Sequence, residues 1–189
     1  MFCHSAGTSD LISQESHAHY EKVFVILFGN RYPMGMSRLS HLNTRGEASM
    51  VDVSAKPVVM RGAVARGENH RPAEALARIN SQQIAKDNVL ATGRLAGILA
   101  AKTTGELFPL CHPLPLTHCE VNFTFPRPKD RIVIAATAKV AAQTGVEMEA
   151  LTAVSVATPT IYDMCKAVDR EMPITSIRLL SKTKLWLEN

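Results

Sequence analysis

Two period-two runs separated by a proline turn limit this chain most. Cys119, Val121, Phe123 and Phe125 alternate with His118, Glu120, Asn122 and Thr124. Successive side chains of a strand face opposite sides, so the run reads as a half-buried strand. Pro126-Arg127-Pro128-Lys129-Asp130 turns the chain, and Ile132, Ile134, Ala136, Ala138 and Val140 repeat the period. The pair is predicted to form a hairpin.

Helical signals flank it. Pro72 suits a first helical residue, with Ala75, Leu76 and Ile79 at helical spacing behind it. Lys86-Asp87-Asn88 reads as a second entry, with Asp87 or Asn88 capping the first turn. That helix is expected to run through Val89, Leu90, Leu95, Ala96 and Leu99 to about Thr104, with Gly93 and Gly97 on a small-residue face that lets another element approach. A long helix is expected from about Val146 to Asp169, stopped by Pro173, and a last short strand over Ile174 to Leu180. Val51, Val53, Val58 and Val59 suggest extended chain around Lys56-Pro57, and Arg66 to Arg71 a polar stretch after it. These elements predict an α+β fold: antiparallel pairing with helices packed on one face of the sheet.

The 189 residues suit one domain, and 46% hydrophobic with 20% charged residues is ordinary globular composition. A net charge of +4 and a pI near 9.0 favour anionic partners. Basic residues form no long run and aromatics are only 5%, which argues for a small phosphorylated ligand over nucleic acid. Cys3, Cys111, Cys119 and Cys165 come without a secretion signal, so reduced thiols in a cytoplasmic protein are expected. Residues 1–36 read as an N-terminal extension ahead of a single catalytic domain over 37–189, with Met36 an alternative natural start. The extension's apolar run, Val23 to Phe28, is too short to span a bilayer, so no membrane partner is expected.

Chemistry could reside in several places. Asp163 and Lys166 are three apart and share a helix face, either as a surface ion pair or as an acid/base pair. Glu147 and Glu149 lie near the start of the same helix, after Gly145, where acids also simply suit the helix dipole. Glu149 and Asp163 are fourteen positions apart, about 21 Å along an unbroken helix. They therefore act at opposite ends of an extended ligand or in sites shared between chains. Pro109, Pro113 and Pro115 stiffen a loop holding Cys111-His112, and His112 is the better candidate there for an acid/base or ligand contact. Cys111-His112 and His118-Cys119 match no common zinc spacing, so no metal site is expected. Lys86, beside a helix entry, can meet phosphate or simply be solvated.

Four segments carry a resemblance: Met50-Val-Asp-Val-Ser-Ala-Lys56, Pro109-Leu-Cys-His-Pro-Leu114, Thr144-Gly-Val-Glu-Met-Glu-Ala-Leu-Thr152 and Ile161-Tyr-Asp-Met-Cys-Lys-Ala167. In this order they closely resemble the cyclic pyranopterin monophosphate synthase family, molybdenum cofactor biosynthesis protein C, over about Leu39 to Lys182. The resemblance implies a ferredoxin-like α+β fold, a homohexamer built as a trimer of dimers, and active sites at subunit interfaces. It implies a lyase that converts 3′,8-cyclo-7,8-dihydroguanosine 5′-triphosphate to cyclic pyranopterin monophosphate and diphosphate. Asp163, Lys166 and Lys86 then match catalytic positions. Leu110, Cys111, His112, Met148, Glu149, Glu147, Arg61 and Lys182 match substrate-binding ones. No cofactor is required, with Mg²⁺ left open as companion of the triphosphate.

The chain departs from the family pattern in three places. Lys86-Asp87-Asn88 stands where Lys-Gly-Asp is usual, Pro159 lies one turn before Asp163, and the tail Thr183-Lys-Leu-Trp-Leu-Glu-Asn189 lacks the usual glycines. These departures motivate an alternative: a catalytically impaired relative that binds a purine nucleotide as a regulatory or assembly subunit. A basic RNA-binding module is a third reading, and the missing aromatic platform argues against it.

Overall fold

A computed structural model describes residues 40–71 and 86–186, with side chains from Asn88 onward in the second segment. The expected N-terminal extension lies outside the described residues, as does the helix expected from Pro72 through Ile79.

The described elements are β1 (Val59–His70), α1 (Lys86–Lys102), α2 (Thr104–Leu107), β2 (His118–Thr124), β3 (Arg131–Ala142), α3 (Glu147–Cys165) and β4 (Ile174–Leu185). They build one four-stranded sheet in the order β2-β3-β1-β4, with every neighbouring pair antiparallel. β1 and β2 are therefore parallel with β3 between them, and β3 and β4 are parallel with β1 between them. Each helical connection crosses over an intervening strand, and crossovers of one hand bring both helices to the same side. This is the ferredoxin-like arrangement, with helices on one face, as the sequence predicts.

The stretch Arg66 to Arg71, read only as polar, is strand as far as His70: β1 continues through it and is central, paired with both β3 and β4. Its helix-facing residues are Val59, Ala63, Ala65, Gly67 and Asn69, too small or too polar to give a hydrophobic alternation. Smallness serves packing here, because a Cβ at Gly67 would sit 2.7 Å from Val154 Cγ1. Asn69 is fully buried and donates to Thr158 O at 3.0 Å and Met172 Sδ at 3.2 Å, so its amide donors are used although the position is apolar in shape.

Other boundaries shift. The described α1 begins at Lys86, which puts Asp87 and Asn88 inside its first turn rather than ahead of it as caps, and it ends at Lys102. α3 stops at Cys165, four residues short of the expected end, and β4 runs on to Leu185. The alternation of Lys182 and Lys184 with Thr183 and Leu185 carries no apolar face, and only pairing with β1 reveals it as strand.

The core lies between sheet and helices. Ile134, Ala136, Ala138 and Val140 of β3 and Val121 of β2 meet Ala150, Ala153, Val154, Ala157 and Ile161 of α3, all fully buried. α1 packs on α3 in the opposite direction: Gly93 lies against Ile161, and Gly97 against Ala153 and Ala157. The start of α1 is thereby placed beside the end of α3. Among the described residues no helix is long and apolar enough to cross a membrane.

Candidate active site

The first group of candidate residues gathers where α3 begins. Gly145 precedes that helix, and a Cβ there would overlap the Glu147 carboxylate, so the glycine makes room for it. Glu147 Oε1 lies 3.4 Å from Lys182 Nζ, which ties the start of α3 to edge strand β4. Arg61, on β1, turns its guanidinium onto the carbonyls of Ala142 (3.5 Å) and Gln143 (3.2 Å) and so fixes the turn that leads into α3. Gln143 reaches on to Ser54 O at 3.2 Å.

Glu149 points inward. It is only 3% exposed, and its Oε2 has no partner among the described residues. Burial pushes its carboxyl above the usual range; its own backbone N–H pulls the other way, and the charge of Glu147 adds to the rise. Burial likewise raises the Cys111 thiol, with Glu149 contributing, so Cys111 faces this carboxyl as a neutral thiol. Leu110, Cys111, His112 and Met148 are half-buried. The loop carrying the first three is closed by Cys111 N–H donating to Phe108 O at 3.0 Å and by Pro113 seated on Gly105.

Asp52 belongs beside this group, and sequence reasoning missed it. Ser54 holds its carboxylate below the usual range, first through its side-chain hydroxyl and then through its backbone N–H at 2.9 Å, and the charge of His112 adds to the effect. Asp52-Val53-Ser54 is an Asx-turn pattern, the signal that could have drawn notice.

The second group sits at the other end of α3. Lys166 Nζ and Asp163 Oδ1 are 2.6 Å apart, with both side chains well exposed. The Asp163 carboxylate holds the Lys166 ammonium above the ordinary lysine range. The packing of α1 against α3 brings the Lys86 backbone to this same end; its side chain lies outside the described residues.

Pro159, expected to trouble this helix, lies inside an unbroken α3 on its exposed side. The carbonyl of Ser155, deprived of the N–H that proline lacks, receives the Thr158 hydroxyl at 3.5 Å. Asp163 therefore stays in helical register with Glu149. With α3 continuous, the two groups remain about 21 Å apart, and the two ends do not meet within one chain.

No group of three metal-ligating side chains occurs among the described residues. His118 and Cys119 are neighbours on β2 and face opposite sides, His118 toward Glu120 at 3.6 Å.

The chain matches the MoaC family over residues 50–184. It is 54% identical to a cyclic pyranopterin monophosphate synthase of Roseiflexus sp. (strain RS-1) over 148 residues, 78% of this chain and 94% of the relative. It is likewise 54% identical to the protein of that name from Desulfitobacterium hafniense (strain DSM 10664 / DCB-2) over 77% of this chain and 88% of the relative. The same identity holds to the one from Cereibacter sphaeroides (strain ATCC 17029 / ATH 2.4.9), over 78% and 92%.

Proposed function

The chain belongs to the MoaC family, and from that premise we infer that it is a cyclic pyranopterin monophosphate synthase of molybdenum cofactor biosynthesis. This lyase takes 3′,8-cyclo-7,8-dihydroguanosine 5′-triphosphate to cyclic pyranopterin monophosphate and releases diphosphate. The observation that carries the reading is that the family match, residues 50–184, encloses every candidate residue from Arg61 to Lys182. The alternative of an impaired relative is not favoured: Pro159 leaves α3 unbroken and Asp163 paired with Lys166.

Chemistry is assigned by end of α3. Rearranging the purine-derived ring moves protons, and Asp163 with Lys166 is suited to give and take them. Lys166, held as an ammonium by Asp163, starts as the acid. Lys86 at the same end answers charge developing as diphosphate leaves. At the other end Lys182 and Arg61 offer positive charge to phosphate oxygens. His112 and Glu149 orient ring and ribose, and Glu147 holds Lys182 in place toward the phosphates. Magnesium enters only as companion of the substrate's triphosphate, and the reaction takes no resident cofactor. The setting is the cytoplasm.

Both ends serve one substrate when two copies of the chain contribute. A homohexamer built from dimers meets this need, and Leu95 and Leu99, 68% and 63% exposed on α1, offer it apolar surface.

The purified protein should release cyclic pyranopterin monophosphate and diphosphate from the cyclic dihydroguanosine triphosphate; absence of both products refutes the reading. Co-expressing Asp163→Asn and Glu149→Ala chains separates shared sites from single-chain ones. Sites built from two copies regain about a quarter of wild-type activity by random assortment. Sites contained in one chain regain none.

A further inference from the structure

Trp186 is the only tryptophan in the chain, and it is 66% exposed directly after β4. Burying an indole is strongly favourable, so an exposed one at a site's edge is surface available to a partner. The pairing of β4 with β1 defines where it lies. Lys182 stands opposite Ala63, Lys184 opposite Arg61 and Leu185 opposite Met60. Lys182 meets Glu147, so the helix-side face of β4 carries Lys182 and, two residues on, Lys184. Lys184 Nζ sits 4.8 Å from the centre of the Trp186 ring, which keeps the indole with that row.

Read along the strand end, the surface is Lys182, Lys184, then Trp186, with Arg61 beside Lys184 on β1. At about 3.3 Å per residue the row spans roughly 13 Å, comparable to an extended nucleoside triphosphate. Its order is positive charge followed by a flat aromatic face, the two chemistries that a purine-derived triphosphate presents. Glu147, 3.4 Å from Lys182, adds the only carboxylate that a described ion pair brings to the row.

We propose that Trp186 is a specificity-determining residue of this site, stacking on the purine-derived ring system while Lys184 and Lys182 take the triphosphate. The inference rests on the functional reading above and adds to it a recognition element at the end of the edge strand. Lys184, drawn toward the phosphates, uncovers the indole face that it now shadows.

The lone tryptophan makes the test direct. Trp186→Ala is expected to raise KM for the cyclic triphosphate about ten-fold, within the range that base–aromatic stacking supplies. Trp186→Phe, which keeps a ring, should stay within about three-fold of wild type. In Asp163→Asn enzyme, where substrate persists, the Trp186 emission should be quenched as substrate is added and should saturate at the binding constant. An unchanged KM in Trp186→Ala, or emission that saturating substrate does not move, overturns the proposal. So does a change in oligomer mass in Trp186→Ala, since the indole then serves assembly. Wild-type enzyme that forms no product refutes the functional reading instead. Wild-type turnover with an unaltered Trp186→Ala KM refutes this inference alone.

Discussion

Gly97 allows a sharp test of the helix layer. An added Cβ would lie 2.8 Å from the backbone oxygen of Ala153, 3.2 Å from Val121 Cγ2 and 3.3 Å from Ala157 Cβ. The first contact cannot relax by a rotamer change, because the oxygen belongs to the rigid backbone of α3. Overpacking costs about 1–3 kcal/mol, and a clash with rigid backbone belongs in the upper part of that range, about 2–3 kcal/mol. Replacing a helical glycine by alanine returns about 0.8–1 kcal/mol of propensity. Gly97→Ala should therefore lose about 1–2 kcal/mol net, a fall of roughly 2–8 °C in Tm at this chain length. Gly93 is the internal control. Its added Cβ meets Ile161 Cγ1 at 3.0 Å and the oxygen of Ala157 only at 3.6 Å, so a side chain can yield. Gly93→Ala should then stay within about 0.5 kcal/mol of wild type, propensity offsetting crowding. Thermal and urea unfolding at one fixed protein concentration measure both, since oligomer stability depends on concentration. A Gly97→Ala variant as stable as wild type, or less affected than Gly93→Ala, would refute this close approach of α1 and α3.

Glu149→Gln should stabilise the protein at neutral pH, because a carboxyl whose folded pKa is raised carries its burial cost only while ionised. The advantage should shrink as pH falls through the raised pKa and vanish below the ordinary value of 4.5; urea midpoints across pH 4 to 8 measure it, and a pH-independent difference contradicts it. Asp163→Asn should let the Lys166 ammonium titrate closer to 10.5, read by side-chain NMR, and should lower kcat about a hundred-fold or more. An unmoved Lys166 titration rules out the pairing in solution. Lys182→Met should raise KM several-fold while changing stability by less than about 1 kcal/mol, as for an exposed ion pair; a large loss of stability shows that the Glu147 contact is structural.

Local patterns determined much of this protein. The hairpin of β2 and β3 is legible because large apolar residues alternate there, and α3 because its apolar positions recur over five turns as far as Cys165, ahead of Pro173. Glu149, His112, Asp163 and Lys166 stand out as candidates because four motifs fall in order along the chain. Tertiary structure decided the rest. β1 is central, yet its inward positions are alanine, glycine and asparagine, whose burial follows from what α3 presses against them and not from their own hydrophobicity. β4 extends past its apolar residues because pairing with β1 satisfies its backbone, whatever the side chains. Asp52 reaches the vicinity of His112, and Glu149 becomes a buried, unpartnered carboxyl, only when loops distant in sequence close over the start of α3. Residue types and short-range periods are properties of the chain itself. Burial, and with it the upward shift of the Glu149 carboxyl, depends on neighbours that long-range contacts alone supply.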